Sequence, residues 1–208
     1  EVELGQSVIT FAVMERASMV RINTGPHDNG FKVCNWCGYS ISGGEDWPEK
    51  HEDPVRKKSC SGHASFLSLA HRYETDVLRI TFPISWEGDN GQTMALSVLY
   101  AVLQSASNTL QIAQSNIDGA ITSYHTQKSS IDIIDTVPGG AGFARLIAGA
   151  LPEVLREAKR LVDSCECGPE TSCYSCLRRF SNQRVHDHLE RGAAAQYFKT
   201  LFHNMGGD

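Results

Sequence analysis

Four cysteines between Cys165 and Cys176, spaced C-x-C-x5-C-x2-C, constrain this chain more than any other feature. Two pairs of thiolates brought together by a tight turn make a tetrahedral cage, the geometry of a structural Zn²⁺ site. Upstream, Cys34 and Cys37 form a C-x2-C knuckle, and Cys60 and His63 form a C-x2-H pair. Together they predict a second four-ligand site. All seven cysteines are then assigned, four to one site and three with a histidine to the other. His63 is the least constrained of these ligands, and His51 or His71 could take its place.

Rival readings of the cysteines are weaker. Seven is an odd count, and no secretory segment is recognisable, which weighs against disulfides. A redox C-x2-C belongs at the start of a helix in a βαβ setting. Here Cys34-Asn35-Trp36-Cys37-Gly38-Tyr39 reads as a zinc knuckle, with Gly38 releasing the turn. An iron–sulfur cluster stays open for the downstream set, since thiolates suit both metals. Reduced thiols held as ligands suit the cytosol.

At 208 residues the chain holds one large domain or two small ones, and 41% apolar residues suffice for a packed core. A net charge of −5 argues against non-specific nucleic-acid binding by global charge, though not against a local basic patch. No run of 18 apolar residues exists, so no membrane-spanning helix is expected. The start at Glu1 reads as a fragment or a processed chain, with any activity in the missing part.

Loose alternation from Gln6 to Ile22 predicts two short strands around a turn at Glu15–Ser18. Thr24–Gly30 reads as a loop, Glu45–Ser59 as a polar excursion, Thr75–Phe82 as a strand and Ser85–Gly91 as a loop. From Gln92 the period changes. Leu96, Leu99, Leu103, Ala106 and Leu110 mark one face of a helix of about five turns. Ile117–Tyr124 and Ser129–Val137 read as strands. A helix follows Gly142 and breaks near Ala150. Pro152 fits the first turn of the next helix, which runs to Val162. A last helix covers about Leu189–Phe202. This order predicts an α+β fold, a small mixed sheet with packed helices and two zinc knuckles. The boundary is drawn between a β-rich region, 1–74, and a second region, 75–208.

Two constellations outside the cysteines could contact nucleic acid. The turn Pro138-Gly139-Gly140-Ala141-Gly142 sits between a strand and a helix. It is neither G-x-G-x-x-G nor a Walker A loop. The preferred reading is a tight turn that needs positive φ, and the minority reading is a DNA-phosphate contact by Gly139 and Gly140. Cys176-Leu177-Arg178-Arg179-Phe180-Ser181-Asn182-Gln183-Arg184 carries three arginines, one aromatic and no acid. Arg178, Arg179 and Arg184 either grip a phosphate backbone or pair with Glu166, Glu170, Asp187 and Glu190. The acid pairs Asp132/Asp135 and Glu87/Asp89 show no two-carboxylate spacing. The segment His186-Asp187-His188 is a weak candidate for a metal-dependent nuclease.

The run Ile131–Gly142, with Asp135 before its glycine turn, then a helix, then the four cysteines and Leu177, resembles the MrfA-type zinc-binding domain. The resemblance covers roughly residues 75–203. Members of that family sit near the C-terminus of DEAD/DEAH-box superfamily 2 helicases and in the anti-phage DISARM component DrmB. The resemblance implies Cys165, Cys167, Cys173 and Cys176 as zinc ligands, with Asp135, Gly139, Gly140 and Gly142 as the family's turn. It implies a non-catalytic accessory domain of a bacterial helicase or defence protein, partnered by DNA and by a motor in the same chain or another subunit. A docking module without DNA affinity is the alternative. No Walker A lysine or D-E-x-H box is present.

Overall fold

In chain order the strands are β1 (Val2–Leu4), β2 (Ser7–Asn23), β3 (Phe31–Cys34), β4 (Ser40–Ser42), β5 (His51–Glu52), β6 (Ser59–Cys60), β7 (Ala64–Leu67), β8 (Leu69–Phe82), β9 (Ile117–Ser123) and β10 (Ser129–Asp135). The helices are α1 (Gly91–Leu110), α2 (Phe143–Gly149), α3 (Leu151–Ser164) and α4 (Arg191–His203). Short 3₁₀ segments cover Gln114–Asn116 and Phe180–His188. The structure, a computed structural model, describes residues 1–4, 7–25, 28–86, 90–123 and 129–203. Parts of the expected Thr24–Gly30 and Ser85–Gly91 loops, the pair Glu87/Asp89 and Tyr124 lie outside the described residues.

The chain divides into two compact units, one of residues 1–17 with 74–208 and one of residues 18–73. The division falls within β2 and β8. The larger unit carries a five-stranded sheet in the order β1-β2-β8-β10-β9. β10 is buried along its whole length and pairs antiparallel with both β8 and β9. Its apolar residues Ile131 and Ile133 join the core. Its polar residues are answered by the neighbouring strand. Asp132 faces Arg79 and takes a bidentate pair at 2.8 and 2.7 Å, while Ser130 Oγ meets Thr81 Oγ1 at 2.9 Å. These bonds satisfy two of the four polar side chains that this buried strand carries.

α1 is the central helix. The expected apolar face holds at Leu99, Leu103 and Ala106, which are buried, while Leu96 and Leu110 are half-buried. Burial also spreads around the helix to Ser97, Ser105 and Ser107, because α1 packs against α3, α4 and β9 at once. Small side chains make that possible by letting three neighbours approach one helix. α2 stops at Gly149, Ala150 breaks the run and α3 starts with Pro152 in its first turn, as the proline predicts. α4 closes the core with Tyr197, Phe198 and Leu201, and the Tyr197 hydroxyl donates to the Ile84 carbonyl at 3.0 Å.

β2 is one strand of 17 residues where the alternation predicts two. The interruption is local. Arg16 takes φ 52° and its N–H donates to Asp76 Oδ1 at 3.2 Å, so the strand continues through the irregularity instead of turning back.

The smaller unit is a three-stranded antiparallel sheet, β4-β3-β7, with the two-stranded hairpin β5–β6. Among its described residues, only one side chain from the apolar set is buried, that of Cys34. The other buried residues there are glycines, His51 and Asp53. The α+β expectation holds, and every pairing resolved between strands is antiparallel.

Candidate metal centres

Among the described residues two groups of side chains could hold a metal ion. In the larger unit they are Cys165, Cys167, Cys173 and Cys176, and in the smaller unit Cys34, Cys37, His51 and Cys60.

The downstream centre is built on the end of α3. Cys165 caps that helix with extended backbone (φ −73°, ψ 132°), which turns the chain toward Cys167. Cys173 and Cys176 share one tight turn, in which the Cys173 carbonyl accepts from the N–H groups of Cys176, Leu177 and Arg178 at 3.1, 3.0 and 2.9 Å. The sulfur pairs 165–167 and 165–173 lie 3.5 Å apart, and 167–176 and 173–176 lie 3.7 Å apart. Four sulfurs each about 2.3 Å from a tetrahedral zinc ion are about 3.8 Å apart. The donor set and its spacing fit zinc. Cys176 and Leu177 are fully buried in the core, so the site is also a packing element.

The loop is clamped by a residue that the sequence reading passed over. Arg191 opens α4, and its Nε and Nη1 donate to the carbonyls of Cys167 and Val162, both at 2.9 Å. Its backbone N–H bonds Thr171 O at 2.8 Å. An arginine at a helix start has no spacing signature that ties it to a knuckle in the preceding loop.

The upstream centre comes from three short pieces. The knuckle after β3 supplies Cys34 and Cys37. β5 supplies His51 and β6 supplies Cys60, which face each other directly in the hairpin register. Cys34 and Cys60 sulfurs are 3.8 Å apart, and His51 Nε2 is 3.2 Å from Cys37 Sγ. N–H groups of Trp36 and Gly62 point at the sulfurs of Cys34 and Cys60, both at 3.4 Å. Gly62 is required there, since a Cβ would fall 2.5 Å from the Cys34 sulfur.

The fourth ligand position is a correction. His63, the ligand expected from the C-x2-H spacing, is exposed, and its carbonyl accepts from Asn35 N–H at 3.1 Å. His71 is also exposed and stacks on Tyr73. His51, held as an alternative, is the histidine in the group. Its ring stacks on Tyr39 at 4.6 Å and meets Trp47 edge-on at 5.1 Å. Its Nδ1 is buried without a hydrogen-bond partner among the described residues. Aromatic packing therefore orients the ring where a hydrogen bond ordinarily does so. Sequence spacing favours a histidine three residues past Cys60, whereas cross-strand pairing favours the one opposite it.

Each set holds one acidic thiol. Burial pushes Cys34 up, but the N–H groups of Trp36 and Cys37 and the side chains of Cys37 and His51 outweigh it and bring the thiol down to about 6. Cys37 is pushed up to about 11, first by burial and then by bonding to Cys34 and Cys60. Burial likewise raises Cys173, yet the bonds from Cys165 and the Ser175 backbone bring it down to about 7. Cys176 is held far above the ordinary thiol range by burial. Each site thus holds one thiol whose surroundings favour the thiolate, the form in which cysteine binds a metal.

The glycine turn is filled from within. Asp135 is fully buried and its carboxylate accepts from Val137, Ala141 and Phe143 N–H at 3.0, 2.6 and 3.3 Å. Gly139 N–H bonds Glu74 O and Gly140 N–H bonds Val137 O, both at 2.9 Å. The minority phosphate reading of Gly139 and Gly140 therefore fails, because their donors are spent and Asp135 is already the anion at the start of α2. Gly139 and Gly142 hold φ of 86° and 83°, as the turn reading requires.

The arginines separate. Arg179 is 3% exposed, with Nη2 on Ser107 Oγ at 3.3 Å, so it cannot reach a nucleic acid from this position. Burial pulls its pKa down to about 10 against the opposing pull of Asp118 and Tyr100. Arg178 is half-buried, with Nε on Ser172 Oγ at 3.1 Å, and Arg184 is exposed. His186 Nε2 lies against Asn182 Oδ1 and Arg179 O at 2.8 and 3.1 Å, a structural role, and neither it nor His188 joins a metal-capable group among the described residues.

The fold and its downstream centre define a zinc-binding α+β domain. Residues 98–177 match the family model of the MrfA Zn-binding domain, and over that segment the resemblance in the sequence holds. The chain is 28% identical over 227 residues to the Druantia protein DruE of Escherichia coli (strain UMEA 4076-1), covering 95% of this chain and 12% of that protein. It is also similar to solved structures of the DUF1998 helicase MrfA. One, bound to DNA, aligns over 97% of this chain and 25% of its own at 15% identity and TM-score 0.49. Another, bound to DNA and AMPPNP, aligns over 94% and 22% at 12% identity and TM-score 0.48. The upstream centre lies outside the segment that the family model covers. No helix among the described residues is long and apolar enough to cross a membrane.

Proposed function

We propose that this chain is a non-catalytic, zinc-stabilised accessory domain of a bacterial DNA helicase or phage-defence protein, and that it contributes a contact to DNA. The Druantia relative supports the defence setting, and directs it toward a Druantia-like protein more than toward the DISARM component DrmB. The observation that carries the DNA contact is the state of the arginines after the last thiolate. Among the described residues neither Arg178 nor Arg184 forms an ion pair, although Glu166, Glu170, Asp187 and Glu190 are close in sequence. The backbone that carries them is tied down by hydrogen bonds. Asn182 Oδ1 accepts from Arg179 N–H at 2.8 Å, and Asn182 Nδ2 donates to Leu177 O at 3.0 Å, one residue past Cys176. Zinc at the downstream centre would fix this frame by supplying folding free energy.

The test is fluorescence anisotropy with labelled single- and double-stranded DNA at two salt concentrations. Arg178→Ala with Arg184→Ala weakens binding and flattens its salt slope by about one per lost phosphate contact. Arg179→Met, a buried change, leaves the affinity alone. Unchanged affinity in the double variant, with its zinc retained, contradicts the DNA contact.

A docking module is the second reading, and one observation favours it. Residues 18–73 expose Val20, Ile22, Phe66, Leu67 and Leu69. Absence of DNA binding at low salt moves the assignment there.

A further inference from the structure

We infer that the upstream metal hairpin is a stacking site for an unpaired DNA base, with Trp36 as the platform and Arg56 and Lys58 on the adjoining phosphates. This site rests on different residues, in the other unit, from the arginine contact proposed above. Trp36 lies between the ligands Cys34 and Cys37 and is 71% exposed. Tryptophan combines a large apolar ring with a single N–H, and exposure on this scale leaves most of the ring's area in water.

The backbone beneath the ring is held by hydrogen bonds. Trp36 N–H is bonded to the Cys34 sulfur, Asn35 N–H to His63 O at 3.1 Å and Gly38 N–H to Cys34 O at 3.1 Å. Gly62 sits against the ring, where a Cβ would come within 3.2 Å of Cγ and Cδ2. The glycine lets the indole rest on backbone and leaves the rest of the ring free. With the backbone fixed in this way, only the side-chain torsions of Trp36 remain to be ordered when a base stacks on it.

Beside it lies a groove of about 290 Å³ lined by Trp36, Arg56, Lys58, Ser59 and Ser61, with Asp53 and two ligand cysteines at its wall. The charges there are unequal in availability. Asp53 Oδ1 already accepts from Val55 and Arg56 N–H, both at 2.8 Å, and Lys57 pairs with Glu52 at 3.4 Å. Arg56 and Lys58 form no ion pair among the described residues. Aromatic face, two cations outside any ion pair and two hydroxyls form the set that a single strand uses, whereas the bases of a duplex are stacked on each other and closed to it. An acidic protein segment is the competing occupant, and absence of oligo(dT) quenching assigns the site to it.

Tryptophan fluorescence of the zinc-loaded 208-residue chain provides the test. Trp86 is buried and Trp47 is packed against Tyr39 and His51, so quenching on DNA addition reports Trp36. Oligo(dT) is expected to quench the emission, and an equal-length duplex to leave it nearly unchanged. Trp36→Ala abolishes the quenching and weakens oligo(dT) binding about tenfold. Trp36→Phe restores most of the affinity. Zinc content measured on each variant verifies that the hairpin is intact. Absence of quenching in the parent chain, or equal loss of duplex and single-strand binding in Trp36→Ala, overturns the assignment. The Arg178/Arg184 double variant separates the two DNA claims, since at saturating oligo(dT) it still shows the Trp36 quenching.

Discussion

The two metal centres hold their surroundings together in different ways. The downstream four-cysteine set is set into a large core, and Cys176 and Leu177 pack with apolar residues from α1, α3 and α4. The upstream set has almost no core beneath it, since Cys34 is the one buried side chain of apolar type among the described residues of 18–73. A chain of that size without a core cannot offset its conformational entropy by burial alone. The comparison predicts that the same chemistry serves as a staple in one unit and as the main source of folding free energy in the other.

The strongest way to break that contrast is to remove the metals. Structural zinc contributes on the order of 10 kcal/mol or more in small zinc-dependent peptides. With a strong chelator, residues 18–73 lose amide-exchange protection throughout, while β10 and α1 keep theirs and the change in the larger unit stays near Cys165–Leu177. Equal loss in both units would contradict the contrast.

Next in size is the fourth ligand of the upstream set. His51→Ala removes a ligand that sits 3.2 Å from Cys37 Sγ and is expected to lower the zinc content of the chain by one ion. His63→Ala, at an exposed side chain, leaves it unchanged. The reverse pattern restores the C-x2-H reading.

A smaller effect sharpens the account of the larger unit, whose stability does not rest on zinc alone. Asp135→Ala leaves the N–H groups of Val137, Ala141 and Phe143 without their acceptor. About 3 kcal/mol of stability is expected to go, read by chemical denaturation, with zinc still bound. A loss under about 0.5 kcal/mol would show that the turn holds itself.

Much of this was legible in the residues. Cysteine spacing picks out seven of the eight side chains now grouped, because a knuckle is a local turn and local turns are written in short spacings. The period of Leu99, Leu103 and Ala106 marks α1, and Pro152 marks the start of α3. What was not legible depends on pairing between distant pieces. His51 meets Cys60 across a hairpin, Arg191 reaches back to Cys167, and Arg179 is drawn inside beside Ser107. Neither spacing nor composition carries those contacts. The run of β2 through Arg16 was missed for a related reason, since an irregular residue inside a strand looks like a turn until the partner strand is known.

Native mass spectrometry of the intact chain tests the central claim most directly, by counting and weighing the bound metal. Two zinc ions per chain are predicted, with chelation releasing both and unfolding residues 18–73. One zinc ion, or a mass and visible absorption that belong to an iron–sulfur cluster at Cys165–Cys176, would contradict it.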